Sequence, residues 1–140
     1  MFKYIVTCLL LGGMLGSAVS ARYSQKPTSP KVIQADSGQL VYENYCLACH
    51  QEDGSGVPNL NPPLIQNEWV LGDSARLIKV VLNGLKGVEV AGESYSNEMP
   101  SHDFLSDQDI ANVLTYIRKS FGNKASAITP VMVKMQRAKK

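Results

Sequence analysis

The stretch Cys46-Leu47-Ala48-Cys49-His50 constrains this chain more than any other. Two cysteines three positions apart, followed at once by a histidine, have the spacing of a c-type haem attachment site. The thiols suit thioether bonds to the two vinyl groups of one haem, and His50 then brings an imidazole nitrogen to the iron. The haem becomes part of the core: burying several hundred Å² of porphyrin contributes on the order of 10 kcal/mol. The competing reading is a zinc or redox CxxC with a histidine beside it. Zinc requires two further ligands. The sequence offers only His102 and Cys8 for that purpose, and Cys8 falls in a segment expected to be removed.

That segment reads as an export signal, residues 1–21. Lys3 supplies the positive start, Ile5 to Leu15 the apolar run, and Val19-Ser20-Ala21 the small residues of a cleavage site. An uncleaved anchor is the alternative, but the run is short for a membrane span and is interrupted by Gly12, Gly13, Gly16 and Ser17. Cys8 is a poor lipid-attachment site because the apolar run continues well beyond it. After cleavage only Cys46 and Cys49 remain, so haem attachment leaves no cysteine for a structural disulfide. Export predicts a periplasmic location. The net charge of +2 does not suggest a nucleic-acid partner.

Beyond the signal, residues 22–36 read as a flexible linker broken by Pro27 and Pro30. Asp36 or Ser37 can cap a helix running to about Ala48, with Gly38, Val41, Tyr42 and Tyr45 on one face. Glycine inside a helix is costly, so Gly38 predicts that another backbone passes close by. Gln51 to Asn67 is expected to be loop. Its Asn61-Pro62-Pro63-Leu64 run is stiff and suits a carbonyl that accepts from a ligating histidine, although a plain turn is equally compatible. Trp69 reads either as core packing or as an indole N–H near a haem propionate. Asp73 or Ser74 caps a helix to about Asn83, with Leu77, Val80, Val81 and Leu85 on its buried face, ended by Gly84 and Gly87. Lys86 to Leu105 is a long loop, of the kind that is often functional. Ser106 with Asp109 predicts a capping box opening a last helix. Ile110, Val113, Leu114, Ile117 and Phe121 form its stripe.

Residues 122–140 read as a basic tail. From Ser37 to Phe121 there are five basic against eleven acidic residues, a net of −6, whereas the tail carries +5. The tail is either merely solvated or a docking arm for a partner or an anionic lipid surface.

An electron-transfer haem needs a second axial ligand, and a thioether there stabilises ferrous iron. Of the five methionines, Met1 and Met14 lie in the signal and Met132 and Met135 in the tail. Met99, followed by Pro100 and just before the last helix, is the expected ligand. His102 is its rival.

Together, Cys46, Cys49, His50, the Asn61-to-Leu64 turn, Met99-Pro100 and the Leu105-to-Phe121 segment resemble the class I cytochromes c. The resemblance covers residues 37–121, a cytochrome c domain. It implies an all-α cytochrome c fold of three to five short helices wrapped around one covalently bound haem c. Its first and last helices would cross through Gly38, Tyr42, Val113 and Tyr116. The Tyr95-to-Pro100 and Ile117-to-Asn123 segments are also similar to bacterial cytochromes that accompany periplasmic quinoprotein dehydrogenases. The expected site is therefore Cys46 and Cys49 for covalent attachment, His50 and Met99 on iron, and Pro63 and Trp69 around the haem. The expected function is single-electron transfer from a periplasmic dehydrogenase or other respiratory donor to an oxidase or cytochrome acceptor, with no catalysis by this chain alone. Two alternatives stand: a haem subunit dedicated to a quinoprotein dehydrogenase complex, and a ligand-binding or peroxidase-like haem protein if Met99 leaves the iron open.

Overall fold

Ser106 starts the helix against which much of the chain packs. Its hydroxyl accepts from the Asp109 N–H at 3.1 Å and donates to the Asp109 carboxylate at 2.6 Å, a variant of the expected capping box. The computed structural model describes residues 34–139, so the expected export signal and most of the expected linker lie outside the described residues. In chain order the helices are α1 (Gln34–Tyr45), α2 (Leu47–His50), α3 (Glu68–Leu71), α4 (Ser74–Asn83), α5 (Asp107–Lys119) and α6 (Pro130–Arg137). The architecture is all-α; the described residues hold isolated bridges but no sheet. Two of the six helices, α2 and α3, are single turns of four residues, too short for hydrophobic periodicity to reveal. α1 begins at Gln34, inside the predicted linker.

α1 crosses α5 at Gly38. A Cβ on Gly38 would overlap the Asn112 carbonyl oxygen and lie 2.8 Å from the Tyr116 Cβ. The missing side chain is therefore what lets the two helices approach. One turn on, Tyr42 is buried between Tyr116 and Phe121, with ring centroids 5.6 and 5.3 Å away. Its hydroxyl donates to the Gln51 carbonyl at 2.6 Å. Ile110, Val113, Leu114 and Ile117 of α5 join Leu77, Ile78, Val81 and Leu82 of α4 in one core.

The C-terminal segment is not a free tail. Thr129 caps α6 by accepting from the Met132 N–H, and Pro130 occupies the first turn, where its missing N–H costs nothing. Val133 and Ile128 are buried in the same core. Thr115 of α5 exchanges two hydrogen bonds with the Ile128 backbone, at 3.1 and 2.9 Å. Arg137 pairs with Asp107 at 2.8 Å and also donates to the Asp103 and Leu105 carbonyls. Five cations in a short stretch masked an eight-residue amphipathic helix.

Arg118, also on α5, is buried without a carboxylate. It donates instead to the carbonyls of Val70, Gly72 and Ser126 and to the Ser126 hydroxyl, binding α3 and the segment before α6 to the central helix.

Candidate haem-binding cleft

α1 ends at Tyr45, and Cys46 begins a tighter turn. The Cys46 carbonyl accepts from both the Cys49 N–H, at 3.1 Å, and the His50 N–H, at 2.9 Å. Gln51, at φ 65°, then turns the chain out of the helix. This short turn brings Cys46, Cys49 and His50 to one cleft. Cys46 is half-buried and Cys49 exposed, and both are free thiols. Burial, and secondly the neighbouring Cys49, push the Cys46 thiol up to about 12. Among the described residues no three His, Cys, Asp or Glu side chains converge as a metal site would require.

His50 Nδ1 lies 3.0 Å from the Pro62 carbonyl oxygen. A carbonyl can only accept, so Nδ1 carries the proton and Nε2 keeps a bare lone pair for a metal. Burial lowers the His50 pKa, which also favours the neutral, ligating form. The stiff proline run thus supplies the carbonyl anticipated from the sequence, and the residue concerned is Pro62. Pro63 serves otherwise: it lines the cleft, and its carbonyl accepts from Asn67 Nδ2 at 3.0 Å. The loop is held in turn by the buried Asn123, which donates to Leu64 and Ile117 carbonyls and accepts from the Gln66 N–H.

Met99 lines the same cleft, and its placement depends on the end of α4. Gly84 caps that helix at φ +76°, and a Cβ there would overlap the Met99 carbonyl oxygen. Leu85 and Met99 then exchange two backbone hydrogen bonds, at 3.0 and 2.9 Å. On the other side, the N–H groups of Ser96 and Asn97 donate to the carbonyls of Asn59 and Leu60. The methionine loop is thereby tied to α4 and to the loop that carries Pro62. Trp69 is half-buried, lines the cleft and has the Arg76 guanidinium 4.4 Å from its ring centroid. His102 also lines the cleft.

The wall of the cleft is mostly apolar and includes Leu77, Val81, Val113, Leu114 and Ile117. Two cysteine sulfurs at the rim, a bare imidazole nitrogen and a thioether on one apolar slot are the groups that a covalently held haem requires. Sequence reasoning missed Gly84, Pro62 as the acceptor, and Asn123. Gly84 was legible only as a helix stop, and Asn123 carried no local signal.

These features define a c-type haem protein. The pattern of the Cytochrome c family matches residues 35–121, and the chain belongs to that family of haem-binding electron-transfer proteins. It is 33% identical over 150 residues to a cytochrome c-552 of Thermus thermophilus, spanning 100% of this chain and 89% of that one. To a second Thermus thermophilus cytochrome c-552 it is 38% identical over 117 residues, covering 76% of this chain and 88% of the relative. To the cytochrome c subunit of a quinone alcohol dehydrogenase from Gluconobacter oxydans it is 36% identical over 96 residues. That match covers 66% of this chain and 20% of the Gluconobacter subunit.

Proposed function

We propose that this chain is a periplasmic carrier of single electrons. It holds one haem through Cys46 and Cys49, with His50 and Met99 as axial ligands. The observation that carries the reading is the convergence of Cys46, Cys49, His50 and Met99 on one apolar cleft. The haem supplies the ferric–ferrous couple. The protein's part is to fix the ligands and limit water. The Pro62 carbonyl holds the His50 ring in one tautomer. The paired backbones of Leu85 and Met99 hold the thioether loop in place, so little rearrangement accompanies a change of oxidation state. Leu77, Val81 and Leu114 keep the back of the cleft dry, while Pro63 and Trp69 form walls.

The likeness to a dehydrogenase cytochrome subunit supports a dehydrogenase as electron donor; the acceptor in this reading is an oxidase or another cytochrome. Lys124, Lys134 and Lys139 remain exposed, and their charges could attract an acidic partner or anionic lipid. The amino-terminal sequence supports export, and a mature chain beginning near Arg22 in a periplasmic extract is the expected result.

The test is the absorption spectrum of the purified ferric protein, followed by reduction and addition of CO. The expected result is the weak red-end band of methionine sulfur on ferric haem and no response to CO. A missing band together with rapid CO binding would overturn the Met99 assignment and favour a ligand-binding protein.

A further inference from the structure

The segment after Met99 runs back along the C-terminal end of α4. Leu85 pairs with Met99, the Ser101 hydroxyl donates to the Leu82 carbonyl at 2.6 Å, and the His102 N–H donates to the Val81 carbonyl at 2.9 Å. Met99 and His102 both line one cleft. Yet His102 Nδ1 is buried and has no hydrogen-bond partner among the described residues. A buried polar atom left without a partner costs about 1–3 kcal/mol. A phenylalanine would line the same wall without that cost, so the imidazole is not explained by packing against Phe104, 5.8 Å away between ring centroids. His102 is the second imidazole on this cleft and the nitrogen ligand nearest in sequence to the thioether.

We propose that His102 is a reserve axial ligand, which takes the sixth position on the iron whenever the Met99 sulfur leaves it. The proposal rests on the His50/Met99 reading given above. The exchange breaks an iron–sulfur bond and forms an iron–nitrogen bond, with no change in oxidation state. An imidazole is a strong ligand for haem iron, and replacing the thioether removes the preference for ferrous iron that sulfur confers. Loss of Met99 would then turn a high-potential carrier into a low-potential one, and the haem would stay closed to small ligands.

The experiment compares four haem-loaded proteins: wild type, Met99→Ala, His102→Phe and the double variant. The readouts are ferric spin state by electron paramagnetic resonance and the rate of CO binding to the ferrous form. The proposal predicts that Met99→Ala stays low-spin and binds CO at least tenfold more slowly than the double variant, which turns high-spin. It also predicts that His102→Phe alone keeps the methionine band. A second measurement avoids any folding defect of Met99→Ala. In mild urea, where the thioether bond opens before the fold, wild type stays low-spin and His102→Phe turns high-spin. Identical high-spin spectra for Met99→Ala and the double variant would overturn the reserve role and leave the His50/Met99 carrier standing. A wild-type protein without the methionine band, combined with a high-spin His102→Phe, would overturn both, because His102 would be the resident ligand.

Discussion

Replacing Gly38 with alanine separates local helix preference from tertiary packing, because the two predict opposite signs. Within α1, alanine is favoured over glycine by about 1 kcal/mol on propensity alone. At the crossing with α5, the new Cβ would sit 2.8 Å from the Tyr116 Cβ and overlap the Asn112 carbonyl. Carbon atoms pack best at about 3.5–4.0 Å, so the helices must part by about 1 Å. Neither obstacle is the far end of a flexible side chain: one is backbone, the other a Cβ. Overpacking of a tight contact typically costs about 1–3 kcal/mol, and rigid neighbours place this site at the upper end. With the propensity gain deducted, Gly38→Ala is expected to lose about 2 kcal/mol, a fall in Tm of roughly 8–16 °C for a domain of this size. The assay is denaturant unfolding of the haem-loaded protein, followed by far-ultraviolet circular dichroism, with thermal melts alongside. A variant as stable as wild type, or more so, would refute the claim that contact with Asn112 and Tyr116 requires glycine here.

Three further outcomes follow from other parts of the fold. Val133→Ala, at a fully buried position of α6, is expected to cost about 2 kcal/mol in the same unfolding assay; Val131→Ala, 66% exposed on the same helix, should stay within about 0.5 kcal/mol. Gly84→Ala adds both a positive-φ strain and an overlap with the Met99 carbonyl, so the methionine band of the ferric protein should weaken or vanish while attachment through Cys46 and Cys49 persists. Cys46→Ala combined with Cys49→Ala, purified without haem, should lose most of its native helical circular dichroism, since burial of about 400 Å² of porphyrin contributes about 10 kcal/mol to the holo fold; a native-like spectrum would contradict haem as part of the core.

The parts of this fold that were legible in the sequence share one property: their signals are local. Asp73 caps α4 by accepting from the Ala75 and Arg76 N–H groups, and Ser106 caps α5, both where the sequence places them. Gly38 marks its close approach because glycine weakens an amphipathic helix unless a neighbour needs the space of the missing side chain. The candidate site was proposed from signals of the same local kind. Two cysteines and a histidine within five residues, and a methionine before a proline, are compact patterns. What stayed hidden depends on distant partners. Arg118 reads as one more cation at the end of α5, and only the fold reveals the carbonyls of Val70 and Gly72 that it bonds, more than forty residues earlier. Asn123 carries no local signal, yet it fixes Leu64 and Gln66, some sixty positions away. The choice between Pro62 and Pro63 as acceptor turns on the path of a loop, which composition does not specify.

The C-terminal segment shows how a charge pattern can conceal a packing pattern. Counted by charge alone, residues 122–140 form a cationic appendage to an acidic body, which suggests removal as the way to test a docking role. Removal would instead strip Ile128 and Val133 from the core and the Arg137–Asp107 pair from the start of α5. A slower electron transfer after truncation would then report unfolding as readily as lost docking. Charge reversal at Lys124, Lys134 and Lys139 separates the two, because these side chains are exposed while the buried contacts of α6 involve other residues. If these charges orient a partner, the triple glutamate variant should lower the second-order rate with an acidic partner at low ionic strength, and the difference should shrink as salt screens the exposed charges. A rate unchanged at every ionic strength, in a variant that melts like wild type, would remove the docking role. α6 would then be left with packing against α4 and α5 as its whole contribution.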